Sequence, residues 1–189
     1  MVRRTDLEIW KFGNVEIFSK LRAFQISTFP NFQMHKNPYA EALGPLDPLK
    51  ALAETPRKIK ALTAAWTGRQ WQRSYAPGKW SARQILVHLA QTELALTTRV
   101  RYGASQAGYV AQSFDQDAWL SLDHADGPTA LDTYMALRRF NLAMFKGLTP
   151  KLRKQPFTHP EYGALTPDWV MAQMAGHEIH HLKQLKQIA

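Results

Sequence analysis

Gly176-His177-Glu178-Ile179-His180-His181 lies within a C-terminal segment of helical periodicity. A four-residue spacing stacks the rings of His177 and His181 on one face of a helix. Val170, Met174, Leu185 and Ile188 fall on the same face by the i, i+3, i+4 rule, so the stripe is apolar apart from the two imidazoles. An apolar stripe packs inward. Buried polar groups without partners cost about 1–3 kcal/mol each. The two rings therefore need partners. One divalent metal ion would serve both, and a hydrogen-bonded pair of core histidines is the alternative.

The same residues spell His-Glu-x-x-His, the zincin pattern in which the glutamate is the general base. Zincins take a third ligand from downstream. Only Leu-Lys-Gln-Leu-Lys-Gln-Ile-Ala follows His181, with no imidazole or carboxylate side chain. A third ligand has to come from upstream, which argues against a peptidase.

Working outward, the chain from Asp47 onward reads as helices. Asp47-Pro48 offers a cap and a first-turn proline, with Leu49, Leu52, Ile59, Leu62 and Trp66 as the apolar face. Thr55-Pro56 marks a second start or a kink. Ser81 and Gln84 have the spacing of a capping box. Ile85, His88, Leu89, Thr92 and Leu96 carry the second helix to about Tyr102. A long connection spans 103–127. The third helix runs from about Pro128 to Leu148, with Leu131, Met135, Leu142 and Phe145 as one stripe and Tyr134, Leu137 and Met144 widening it. Thr166-Pro167-Asp168 opens the fourth helix with a cap, a proline and an acid at the positive end of the dipole. Four amphipathic helices without a convincing sheet predict an all-α four-helix bundle.

Residues 1–46 read differently. Leu7–Phe18 alternates like a strand or hairpin, but nothing strand-rich is available to pair with it. Residues 1–33 are expected to be an extension outside the core fold, either upstream sequence joined by a wrong start codon or an arm used in oligomerisation. Residues 34–189 are the expected domain.

Composition bounds the function. The 189 residues suit one domain, and 45% hydrophobic content with six Trp and nine Phe is ample for a core. No run approaches the about 18 apolar residues of a membrane span. Asp6, Glu8, Lys11 and Glu16 interrupt any signal-peptide core. With no cysteine there are no disulfides, thiolate ligands or cysteine nucleophile. The net charge of +9 is scattered over positions such as Arg57, Lys60, Arg138, Arg139, Lys151 and Lys186. It reads as a solvated basic surface, without the clustered pattern of a nucleic-acid partner.

His88 is the candidate for the missing upstream group, although alone it would read as a satisfied core histidine. It lies on the apolar stripe of the second helix and completes a set of three imidazoles from two helices. Three histidines leave coordination positions open, as in a reactive site rather than a closed structural one. The matching stretches are Pro77-Gly-Lys-Trp-Ser-Ala-Arg-Gln-Ile-Leu-Val-His-Leu-Ala-Gln-Thr-Glu93, Ser113-Phe-Asp-Gln-Asp-Ala-Trp119, His159-Pro-Glu-Tyr-Gly-Ala-Leu-Thr166 and Ala175-Gly-His-Glu-Ile-His-His-Leu-Lys-Gln184. In these, over residues 45–189, the chain resembles the DinB-like superfamily, which includes the YfiT-type proteins named as metal-dependent hydrolases. The resemblance implies an up-down-down-up bundle and one divalent metal ion held by His88, His177 and His181. Relatives often carry Asp where this chain has Glu178. Family members of known chemistry act on low-molecular-weight thiol adducts.

Among the neighbours, His180 points about 100° away from His181 and reads as a surface or supporting group. Glu178 reads as a solvated or inter-helix contact, and Glu93 as a cap or salt bridge. Asp115 and Asp117 lie in a loop that could fold over the metal, and His159 belongs to a loop-shaping motif. The expected protein is a cytoplasmic homodimer holding Zn, Ni or Fe and acting on a small molecule, which could be a low-molecular-weight thiol. Its class is a hydrolase or thiol transferase. A non-enzymatic stress-response or binding module that retains the metal site is the alternative. Neither a membrane nor a nucleic-acid partner is expected.

Overall fold

The computed structural model describes residues 35–189. In chain order these form α1 (Ala40–Leu43), α2 (Pro48–Thr63), α3 (Gly68–Gln72), α4 (Ala82–Ser105), α5 (Gln116–Leu122), α6 (Gly127–Gly147), α7 (Pro150–Arg153), β1 (Phe157–His159), β2 (Gly163–Leu165) and α8 (Pro167–Lys186). The extension expected over residues 1–33 lies outside the described residues.

Each long helix starts where its capping chemistry dictates. Asp47 accepts from the Lys50 N–H at 2.8 Å, Asp126 from Thr129 at 2.8 Å, and Thr166 from Trp169 at 3.2 Å. Ser81 and Gln84 close the expected capping box: the Gln84 N–H donates to Ser81 Oγ and the Ser81 N–H to Gln84 Oε1. Pro56 neither restarts nor ends α2, which runs through it to Thr63. A proline inside a helix deprives the carbonyl four residues earlier of its donor. That carbonyl belongs to Leu52, and it accepts from Arg138 Nη1 of α6 at 3.2 Å. The interruption is thus repaired from a neighbouring helix.

α2, α4, α6 and α8 form the bundle, in up-down-down-up order. α4 and α6 run in the same direction. Arg83 near the start of α4 donates to the carbonyl of Ala125 just before α6, and Gln155 beyond α6 donates to Gly103 near the end of α4. α8 packs on both α2 and α4, while α2 and α4 sit at opposite corners. The connection between α4 and α6 must therefore travel the length of the bundle, and it contains the short helix α5. The segment after α6 is not a plain loop either. Phe157–His159 and Gly163–Leu165 pair as a two-stranded hairpin, with Phe157 opposite Leu165 and Gly163 at a φ of +65°. Its sequence hid this because each strand has only three residues.

Two apolar clusters fill the interior. One gathers Ile85, Leu86, Leu89, Leu131, Tyr134, Leu182, Leu185 and Ile188. The other gathers Leu52, Leu96, Val100, Phe145, Phe157, Val170, Met171 and Met174. Along α4, α6 and α8 the positions between them are polar and buried: His88, Glu93, Arg138, Asn141, His177, Glu178 and His181. The candidate site is this polar layer and the cleft that reaches it.

Candidate metal centre

His88 from α4 meets His177 and His181 from α8. His177 Nε2 lies 3.0 Å from His88 Nε2 and 2.9 Å from His181 Nε2, and all three nitrogens fall within 4.8 Å of one another. All three rings are buried. A neutral imidazole nitrogen either donates or accepts. His177 Nε2 offers one lone pair or one proton, so hydrogen bonding alone cannot serve both close neighbours well. A single cation at the shared focus would satisfy all three nitrogens.

The electrostatics favour the form a metal needs. Burial pushes His88 down to about 3, helped by the proximity of His181. Burial pushes His181 down to about 4, opposed by its bond to Gln184. His177 is held well below the usual histidine range by burial and then by His181 and His88. All three rings are therefore neutral at pH 7, the state that binds a divalent ion.

The surrounding residues orient these rings. His181 Nδ1–H donates to Gln184 Oε1 at 2.7 Å, which turns the Nε2 lone pair toward the cluster. The Gln184 amide in turn donates to Tyr75 Oη at 3.2 Å and to His180 Nε2 at 3.0 Å. His180 is exposed and supports Gln184 from outside the cluster. Phe114 stacks on His88 at 7° between ring planes, and Trp80 packs against both His88 and His181. Tyr39, just ahead of α1, packs edge-on against His177. That approach requires Gly176: a Cβ there would lie 2.3 Å from the Tyr39 carbonyl oxygen. Neither Tyr39 nor Tyr75 stands out in the sequence, because isolated tyrosines carry no periodic signal.

Glu178 and Glu93 do not face the histidines. Both are buried and both pair with Arg138, whose Nη2 donates to Glu93 Oε1 and to Glu178 Oε1. Asn141 adds a bond to Glu93 Oε2 at 2.8 Å. Arg138 is thus a core residue and not part of the scattered surface charge that its neighbour Arg139 suggested. It continues the α6 spacing 127, 131, 134, 138, 141, 145, and its partners are the two acids on the inner faces of α4 and α8. Burial raises Glu178 to about 8, with Arg138 opposing. An acid turned away from the histidines and held by a guanidinium is not placed as a zincin base.

Asp115 caps α5, accepting from Asp117 and Ala118 N–H groups at 3.1 and 3.0 Å, and Asp117 is exposed. His159 shapes its loop: its Nδ1 accepts from the N–H groups of Glu161 at 3.2 Å and Tyr162 at 3.3 Å. The Thr92 hydroxyl is committed to the Leu89 carbonyl at 2.8 Å. A cleft of about 210 Å³ opens onto His88 and His177, with Arg99, His159, Tyr162 and Gln173 among its walls. His181 lies behind it.

Comparison with known proteins agrees with this architecture. The sequence profile of the DinB superfamily matches residues 51–185. A protein of Oceanobacillus iheyensis, named "Putative metal-dependent hydrolase", is 24% identical over 142 residues, covering 74% of this chain and 83% of that protein. YfiT of Bacillus subtilis, of the same description, is 24% identical over 145 residues, covering 75% and 82%. A solved structure of YfiT, described as having an unusual four-helix bundle topology, superposes with a TM-score of 0.69 at 23% identity, covering 84% of this chain and 90% of that one. With its profile matched across the bundle helices and its fold shared with YfiT, the chain belongs to the DinB superfamily.

Proposed function

We propose that the protein is a metal-dependent enzyme acting on a small molecule, with one divalent ion held by the Nε2 atoms of His88, His177 and His181. The observation that carries this reading is the convergence of three buried imidazole nitrogens on one point, where His177 Nε2 has a single proton or lone pair for two close neighbours. The names of its relatives support the hydrolase class, and thiol transfer is the second chemistry the family resemblance suggests. A bound ion there would supply Lewis acidity to a water, a thiol or a carbonyl oxygen. The chain's own residues do the rest. Gln184 fixes the His181 tautomer, Trp80 and Phe114 keep water from the His88 flank, and the cleft admits the substrate on the side of His88 and His177. That opening favours an enzyme over a binding module whose site is closed by side chains.

Elemental analysis of untagged protein, purified without a nickel column, tests the reading. About one divalent ion per chain is expected, with Zn, Ni and Fe the metals that imidazole donors suit. His88→Ala, which removes one of three ligands, is expected to lose the metal. Metal-free wild-type protein after reconstitution, or full occupancy in His88→Ala, would overturn it.

A further inference from the structure

Beyond the histidine cluster, the cleft holds two donors that the metal reading does not use. Arg99 is only 7% exposed, and its Nη2 donates to the Gln112 carbonyl at 2.7 Å. Among the described residues it forms no ion pair, unlike Arg138, which has two carboxylates. Buried guanidinium groups are ordinarily paired, because an uncompensated buried charge is costly. The second donor is His159, 2% exposed. Its Nδ1 accepts two backbone N–H groups, so the ring proton sits on Nε2. That buried N–H has no acceptor among the described residues. Both residues line the same cleft as His88 and His177. A buried guanidinium with no direct ion pair, whose nearby acid Glu161 is engaged by Ser113, and a donor without an acceptor call for one complementary group, an anionic oxygen acceptor.

We infer that this wall is a carboxylate-binding subsite, in which Arg99 and the Nε2–H of His159 hold the acid end of the substrate while the remainder extends toward His88 and His177. A carboxylate fits better than a phosphate. The local cation is single, and Glu161, held by Ser113 Oγ at 2.5 Å, lies at the same cleft. Each added negative charge meets Glu161 as well as Arg99, so a monoanion is repelled less than a dianion. The span is also defined. From residue 88 to residue 99 the α4 backbone advances about 16 Å at 1.5 Å per residue. The gap between the two ends of the ligand is shorter, because long helical side chains lean toward the N-terminus. The substrate class is therefore a small carboxylic acid with its reacting group several bonds from the carboxylate. That extension rests on the proposed metal centre, while the subsite itself does not.

Calorimetric titration of the full chain with butyrate, butyramide and inorganic phosphate tests the subsite, with metal content measured on every sample. Butyrate is expected to bind, butyramide not, and phosphate more weakly than butyrate. Arg99→Gln is expected to weaken butyrate by roughly tenfold or more, the loss of a charge-assisted bond, with metal content unchanged. His88→Ala is expected to lose metal yet keep butyrate binding, which separates the subsite from a carboxylate merely ligating the ion. Equal binding in wild type and Arg99→Gln, loss confined to His88→Ala, a preference for phosphate, or no butyrate binding at all would overturn the proposal. If Arg99→Gln fails to fold, the ring-nitrogen resonances of wild-type His159 decide: a shift of Nε2 on adding butyrate supports the subsite and an unmoved resonance overturns it. Wild-type protein without metal would sink the metal centre and leave the butyrate result readable.

Discussion

Three imidazoles are held neutral inside a protein core, and that has consequences for stability as well as for binding. Each ring is unprotonated in the folded chain until the pH falls far below its ordinary value near 6.5, to about 3 for His88 and about 4 for His181. In the unfolded chain the same rings protonate near pH 6.5. Between about pH 6.5 and 4 the unfolded state binds the extra protons, so stability is present above that window and is lost as pH falls through it. Burial raises Glu178, with Arg138 opposing, and a raised acid works in the opposite sense, but it is one group against three. Urea midpoints of chelator-treated protein should fall steadily from pH 7 to pH 4. A flat profile would mean that the rings are not desolvated as described. Gln184 makes a second case at this scale. Its carbonyl orients His181, so Gln184→Ala should weaken metal binding by roughly 10–100-fold without abolishing it. Competition with a chelator measures this, and an unchanged affinity would remove Gln184 from the site.

The elements show how far a sequence can be read. Caps at Asp47, Ser81 and Thr166 and the two histidine positions on α8 were legible, because capping and periodicity are local and the residues that create them are adjacent in the chain. Arg138 was not legible, because its role depends on Glu93 and Glu178, on two other helices, and on a carbonyl left free by Pro56 on a third. The hairpin at 157–165 was missed for a related reason: three-residue strands are too short to show alternation. The Arg138 network has a measurable weight. Replacing it by Met leaves two buried carboxylates without their cation, and breaking such a pair typically costs about 3–5 kcal/mol. Arg138→Met should lower stability by that order in chemical denaturation. Glu178→Gln should be milder, since one carboxylate and the guanidinium remain, and should leave metal occupancy intact in elemental analysis. Loss of metal in Glu178→Gln would show that the acid, and not only the histidines, addresses the ion.

At the scale of the molecule, the site is assembled by topology. α4 packs on α8 and α6, and α2 takes the corner opposite α4. The approach to the site is completed by residues ahead of the bundle: Trp169 Nε1–H donates to the His35 carbonyl at 2.7 Å, and Tyr39 packs on His177 across Gly176. The boundary of the working unit should therefore fall close to Met34. A chain beginning at Met34 retains all of these contacts, every bundle helix and the three histidines. We expect it to match the 189-residue chain in melting temperature and metal content. A chain beginning at Asp47 would lose Tyr39 and the His35 carbonyl and should melt lower, with the Trp169 indole left without its acceptor. Light scattering on the first pair reports at the same time whether residues 1–33 take part in assembly. An equal number of subunits, melting temperature and metal content for the full chain and the Met34 chain would place the working protein in residues 34–189. A large drop in any of these on removing residues 1–33 would make that segment an integral arm instead.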